Sequence, residues 1–424
     1  MRNLFKKIFK NTKNLNNFNL SFNNLRKNFN SEKIFNSISK YSEKSEARYV
    51  GGCVRKILNK EEIDDIDLAT NLDPSEITNV LTKDNINFFD SGIEHGTITA
   101  VLDNNSFEIT SLRKDVSTDG RHAKVEFSDS WVEDSTRRDF TINSIYADID
   151  GNLFDPHNGK KDLEEGIVKF IGEPEKRIKE DYLRILRYVR FYLNYSKHNH
   201  QTEVKKIIKQ NLAGIKIISK ERLLAELKKL VLSKGFLKLN DDPFCLAIIM
   251  LIFPELTNLN LFKNLNSFAK NLIHSKSFIF LISLMIIDDS DNVEYFIYKY
   301  NLSNHDKNKI TFLKKIFSKK NNNQDFSEKN LWKILYLNNK DELIDMIDFQ
   351  IFRSKKIDKK LINLKKLFMN KEKPVFPVKA KYLIDEFKLK EGVELGRKLK
   401  DIENTWINNS FKISNEEIRG IINS

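Results

Sequence analysis

Cysteine is almost missing from this chain: Cys53 and Cys245 are the only two in 424 residues, far apart and each in an apolar setting. That excludes a disulfide framework and fits a reducing compartment. No apolar run is long enough to cross a bilayer, which excludes a spanning helix and leaves a cytoplasmic protein as the expectation. Histidine is scarce too. His305-Asp306 has only His274 ahead of it in the C-terminal half, too few ligands for a metal phosphohydrolase. Acidic residues are absent from residues 1–31, while Arg2, Lys6, Lys7, Lys10, Lys13, Arg26 and Lys27 lie there. This start reads as a peripheral basic extension, with an organelle presequence as the alternative; Leu4, Phe5, Ile8 and Phe9 have helical spacing, but no cleavage signal follows.

Charge is plentiful elsewhere. Lys and Arg number 72 against 59 Asp and Glu, a net charge of +13 with pI near 9.3, which suits a polyanionic partner. Seven of those net charges belong to the first 31 residues, so a nucleic-acid track on the rest must be local. The length implies two to four structural units. From Arg48 to about Asp150 short strands and helices alternate, with turn signals at Asn71-Leu72-Asp73-Pro74, Asn104-Asn105 and Asp119-Gly120. Beyond about Gly166, apolar residues recur at three- and four-residue intervals over Lys176–Asn194, Lys220–Leu232 and Phe278–Tyr300, so the remainder is expected to be helical.

The densest chemistry lies between Gly51 and Thr70. Asp65 and Asp67 flank one residue on an expected strand and so project from the same face. Two converging carboxylates suit Mg²⁺, a hard cation that takes oxygen ligands. Gly51 and Gly52 open an expected helix, where backbone N–H groups can meet phosphate oxygens without a Cβ in the way, and Arg55 lies between the two features. Further along, Arg137-Arg138-Asp139 precedes Asn143; on a helix, Asp139 and Asn143 would share a face and the paired arginines would sit near its start, placed to hold a triphosphate. In Glu180-Asp181-Tyr182-Leu183-Arg184, Asp181 and Arg184 are one helical turn apart and offer an acceptor beside a donor. Taken singly, an acidic run or an Asp/Arg pair is usually solvated surface; these three blocks occur together.

The blocks resemble those of the class II tRNA nucleotidyltransferases (CCA-adding enzymes) and bacterial poly(A) polymerases, strongly over Arg48 to about Leu232 and weakly beyond. Gly92-Ile93-Glu94-His95-Gly96-Thr97 resembles the CCA-adding branch in particular. The resemblance implies an α+β protein: a nucleotidyltransferase-type mixed-sheet head (46–165), then an elongated all-helical neck (166–235), body (236–320) and tail (321–424), with 1–45 as the basic extension. It implies template-independent addition of CCA to tRNA from CTP and ATP, with Mg²⁺ as cofactor and a monomer or weak dimer as the form. Asp65 and Asp67 would hold two metals, and Glu108, on a neighbouring strand, would be the third carboxylate. Gly51, Gly52, Arg55, Arg137, Arg138, Asp139 and Asn143 would bind the nucleotide and its ribose. Asp181, Arg184 and Arg187 would complete the pocket, the first two accepting the amine-next-to-ring-nitrogen edge that cytosine and adenine share. Residues 114–124, with Arg113, Asp115, Asp119 and Arg121, correspond to a loop associated with the switch from C to A addition. Residues 219–227 would brace the pocket, with Arg222 supporting the template pair, and residues from Phe376 to Trp406 would cradle the tRNA elbow. Lys56 departs from the pattern, standing where the family usually has aspartate, and is read as a lost ion pair that a neighbour compensates, with a reduced catalytic rate as the alternative. The alternatives are a poly(A) polymerase and a catalytically inactive RNA-binding protein.

Overall fold

The computed structural model describes residues 17–63, 65–118, 123–317 and 325–424. Its backbone falls into two compact units, Met1–Leu239 and Asn240–Ser424. The first unit is built on nine strands: β1 (Ala47–Val50), β2 (Ile66–Thr70), β3 (Asn87–Gly92), β4 (Thr97–Leu102), β5 (Asn105–Ser111), β6 (Arg113–Thr118), β7 (Ala123–Phe127), β8 (Tyr146–Ala147) and β9 (Leu153–Phe154). Seven form one mixed sheet in the order β3-β4-β5-β2-β1-β8-β9, while β6 and β7 make a separate hairpin. Among the described residues only β2 and β5 run parallel; their register sets Asp67 opposite Glu108. The other neighbours in the sheet are antiparallel.

Alternating residues of β2, β4 and β5 (Leu68, Ile98, Ala100, Phe107, Ile109) turn to a buried core, which helices Gly52–Leu58 and Pro74–Lys83 close with Val54, Ile57, Ile77 and Leu81. The Asn71–Pro74 turn is the start of the second helix. Asp73 caps it by accepting from the Glu76 N–H at 2.9 Å, and the Glu76 side chain accepts in return from the Asp73 N–H.

The expectation of a peripheral extension over 1–45 is corrected for its described part. Helices Asn17–Phe29 and Ser31–Ser39 send Phe22, Leu25, Ile34, Phe35 and Ile38 into the head core. There Phe22 and Phe35 pack on Tyr49 of β1, with ring centroids 5.6 and 4.8 Å away, and the Tyr49 hydroxyl meets that of Ser31 at 2.5 Å. Each such buried side chain contributes about 1.5–3 kcal/mol, so this segment is integral to the head.

Two expected helices are interrupted. Lys176–Asn194 divides into Pro174–Glu180 and Leu183–Tyr195, because Asp181 is extended (φ −154°, ψ 104°) and its carboxylate accepts from the Leu183 N–H at 3.1 Å. Phe278–Tyr300 divides into Phe278–Ile286 and Asn292–Tyr300, where Asp288 accepts from both the backbone and the hydroxyl of Ser290. Lys220–Val231 forms as expected, capped by Ser219.

The second unit is all helix among the described residues. Buried Asp348 holds Lys276 and Lys365 at 2.6 and 2.8 Å, and Tyr336, Trp406 and Phe411 pack as an aromatic cluster with centroids about 5 Å apart. The boundary drawn at 320/321 lies inside this unit, where the rings of Phe317 and Phe349 are 4.4 Å apart. Among the described residues no helix is long and apolar enough to cross a membrane.

Candidate active site

Asp65 immediately precedes β2 and Asp67 lies within it, with Glu108 on β5 level with Asp67. Ile66 and Leu68 between and after them are buried, so strand alternation turns the aspartates to the opposite face. Burial and the like charge of Glu108 push the Asp67 carboxyl up to about 6, against the pull of Arg138. Gly51 has φ +67° and ψ −117°, a conformation that side-chain-bearing residues avoid. A Cβ there would lie 3.6 Å from Arg138 Nη1 and 3.8 Å from an Asp67 carboxylate oxygen, so the turn brings backbone beside both.

Arg137 and Arg138 are in the site, but not at a helix start. The helix Trp131–Arg137 ends there, Arg138 is extended, and Thr141–Asn143 forms a single 3₁₀ turn. The reason is local competition. Asp139 accepts from the N–H of Phe140, while Phe140 bridges antiparallel to Phe170 and so cannot continue a helix. Asp139 and Asn143 still meet, at 2.8 Å, across this bend.

Sequence reading missed what aims the arginines. Asp134, fully buried, takes Arg137 Nε at 2.7 Å on one oxygen and Arg138 Nη2 at 3.0 Å on the other, with the Tyr146 hydroxyl donating at 2.6 Å. Burial alone would raise its pKa; Arg138, Arg137 and Tyr146 hold it far below the usual carboxylate range. The signal was present, since an acid three and four residues before two arginines on a helix is spaced to pair with both.

Asp139 is the second anchor. Burial opposes its charge, but Arg187 at 2.6 Å and Asn143 keep it ionised well below the ordinary range. Asn143 in turn accepts from Arg55, whose guanidinium lies over Phe191 and Tyr195 at 4.8 and 5.2 Å. Phe140 packs against Phe170 and Phe191, which docks the Leu183–Tyr195 helix onto the Arg-Arg-Asp segment.

Asp181 and Arg184 lie together but not as neighbours on one helix. The break leaves Asp181 paired with Arg222 at 2.7 Å, while Arg184 donates to Glu180 and to the Arg177 carbonyl, each at 2.6 Å. Arg190 is held by buried Glu226. One cleft of about 1700 Å³ is lined by Gly51, Gly52, Arg55, Asp65, Asp67, Arg137, Arg138, Asp139, Asn143, Asp181, Arg184 and Arg187, and further out by Lys56, Lys60, Lys228, Lys229, Lys234 and Lys238. Of the expected loop, Arg113 opens β6 and its N–H faces Asp134 at 3.4 Å, and Asp115 pairs with Val125 across the hairpin. Asp119 and Arg121 lie outside the described residues. His95 is exposed in the turn before β4.

Residues 47–169 match the profile of the Poly A polymerase head domain. Over 192 residues the chain is 46% identical to the human protein named CCA tRNA nucleotidyltransferase 1, mitochondrial, a match covering 45% of this chain and 44% of that one. The head is thus similar in sequence to the heads of poly(A) polymerases and tRNA nucleotidyltransferases. The CCA-adding enzyme of Lactobacillus helveticus is 38% identical over 187 residues, 44% of this chain and 46% of that protein. These matches span less than half the length of the relatives. A likeness of fold extends beyond them: the crystal structure of the Bacillus stearothermophilus CCA-adding enzyme in complex with CTP aligns with a TM-score of 0.68, covering 93% of this chain and 97% of that chain, at 21% identity.

Proposed function

We propose that this protein adds C, C and A to the 3′ end of tRNA, taking CTP and ATP and using its own side chains as template. The observation that carries the reading is the gathering of an acidic cluster, an arginine-lined phosphate region and an acceptor–donor pair in one cleft. Identity to proteins named for CCA addition supports it over poly(A) synthesis.

In this scheme the 3′-hydroxyl of the RNA attacks the α-phosphate, a new P–O bond forms, and the bond to the leaving pyrophosphate breaks. Arg137 and Arg138, fixed by Asp134, neutralise charge on the leaving group. Asp139 stays ionised and keeps acceptor capacity for a ribose hydroxyl after bonding Phe140, Asn143 and Arg187. The oxygen-only donor set and the like-charge pressure on Asp67 fit Mg²⁺ held by Asp65 and Asp67, with Glu108 adjoining. Bound there, Mg²⁺ would activate the 3′-hydroxyl and polarise the α-phosphate. Asp181 accepts the exocyclic amine of C or A, and Arg184 donates to the adjacent ring nitrogen. Uracil and guanine present the reverse order. The two cysteines are buried and not joined in a disulfide, in keeping with a reducing compartment: the cytoplasm, or an organelle matrix if the basic start acts as a presequence.

Shortening residues 115–120 tests the assignment of two different bases to one pocket. With CTP and ATP, the variant is expected to add two C residues and stall, because refitting the pocket to adenine draws on the loop. Undiminished A addition to a tRNA already ending in CC would make the loop a mere connector.

A further inference from the structure

Arg177 does not line the cleft, yet it joins the cleft's two functional halves. It is 9% exposed. Its Nη2 donates to the carbonyl oxygen of Arg137 and, at 2.7 Å, to that of Arg138, the carbonyls at the end of the Trp131–Arg137 helix, where a cation is favoured. Its Nη1 pairs with Glu180 Oε2. That same oxygen receives Arg184 Nη1 at 2.6 Å, and Arg184 also donates to the carbonyl of Arg177 at 2.6 Å. Arg184 Nη2 reaches the Arg137 carbonyl at 3.4 Å. The backbone carrying the two triphosphate-facing guanidiniums is thus tied, through one arginine and one shared carboxylate oxygen, to the side chain facing the base.

We infer that Arg177 is a positioning residue that makes triphosphate alignment depend on base identity. The inference rests on the proposed reading of Arg184 as a base contact. Cytosine or adenine accepts from Arg184 while Glu180 keeps its hold, and the clamp on Arg137 and Arg138 stays closed. Uracil, with a carbonyl at the amine position and an N–H at the ring position, draws Arg184 to a different angle; Glu180 follows or loses a partner, Arg177 shifts, and the arginines no longer meet the leaving pyrophosphate squarely. A wrong base then costs rate at saturation as well as affinity. Coupling carried by such a contact is typically 0.5–2 kcal/mol, or about 2- to 30-fold.

The test is single-turnover addition of the first nucleotide to a tRNA ending at its discriminator base, with saturating CTP and with saturating UTP. Arg177→Met keeps the side chain's length and removes its donors. The CTP rate is expected to fall on the order of tenfold and the UTP rate by less than about threefold, so the rate ratio collapses while CTP affinity changes by less than about threefold. Arg177→Lys, which keeps a cation able to reach one carbonyl, is expected to recover part of the ratio. A purely structural role would lower the active fraction, scaling both rates equally; an unchanged CTP-to-UTP ratio would therefore overturn the inference. Should the methionine variant fail to bind CTP, the lysine variant is read by the same ratio. A wild-type protein that shows no preference for CTP would instead overturn the proposed function itself.

Discussion

Asp67→Asn is expected to abolish nucleotide addition and, in the absence of metal, to make the protein more stable. The two effects have one cause. Asp67 sits half-buried opposite Glu108 and near Asp65, so its charge is unfavourable until a cation joins it. Its folded pKa, pushed up to about 6, lies above the ordinary carboxylate value. The protonated form is therefore favoured by folding, and the associated stability is present at low pH and lost as pH rises through about 6. Asparagine removes that penalty, a gain on the order of 1–3 kcal/mol at pH 7.5 that shrinks towards pH 5. Activity should fall by more than the ~10²–10³-fold that losing one transition-state contact costs, because the proposed metal site would lose a ligand. Melting curves without metal at pH 7.5 and pH 5, then with Mg²⁺, check this: Mg²⁺ should stabilise the wild type and leave the variant nearly unchanged. A variant less stable than wild type at pH 7.5 would make Asp67 a structural acid.

Asp181→Ala is expected to relax base choice before it weakens triphosphate binding. In the proposed reading the carboxylate is the acceptor for the amine shared by C and A, and its removal would leave Arg184 and Arg222 to donate to the carbonyl of uracil. Loss of such a contact in a desolvated site is worth on the order of 1–3 kcal/mol, roughly tenfold or more in CTP-over-UTP preference. CTP and UTP offered in competition decide it. A uniformly slower enzyme with the same preference would move base reading away from Asp181.

The glycine turn, helix and acidic strand of residues 51–70 were legible because each element has its own local signal: conformational freedom, three- and four-residue periodicity, and alternation. Glu108 was legible as a candidate only through the resemblance; what sets it beside Asp67 is the parallel pairing of β2 and β5, a long-range contact that no local pattern specifies. The Arg-Arg-Asp segment misled because its spacing fits a helix while the Asp139 side chain takes the Phe140 N–H and Phe140 pairs with Phe170. Likewise, Asp181 breaks the helix that periodicity drew through it. At the N-terminus, basic composition obscured the apolar stripe of Phe22, Leu25, Ile34, Phe35 and Ile38, and burial decided the outcome. The residues that hold others, Asp134, Arg177 and Glu180, had pairing-compatible spacing but no chemistry of their own to single them out.

The most direct test of the central claim is the sequence of the product. Purified protein, Mg²⁺ and all four nucleoside triphosphates are given to a tRNA that ends at its discriminator base, and the new 3′ ends are read. The account predicts C, C and A in that order, then a stop. Tails of A of variable length, or an unextended tRNA, would contradict it.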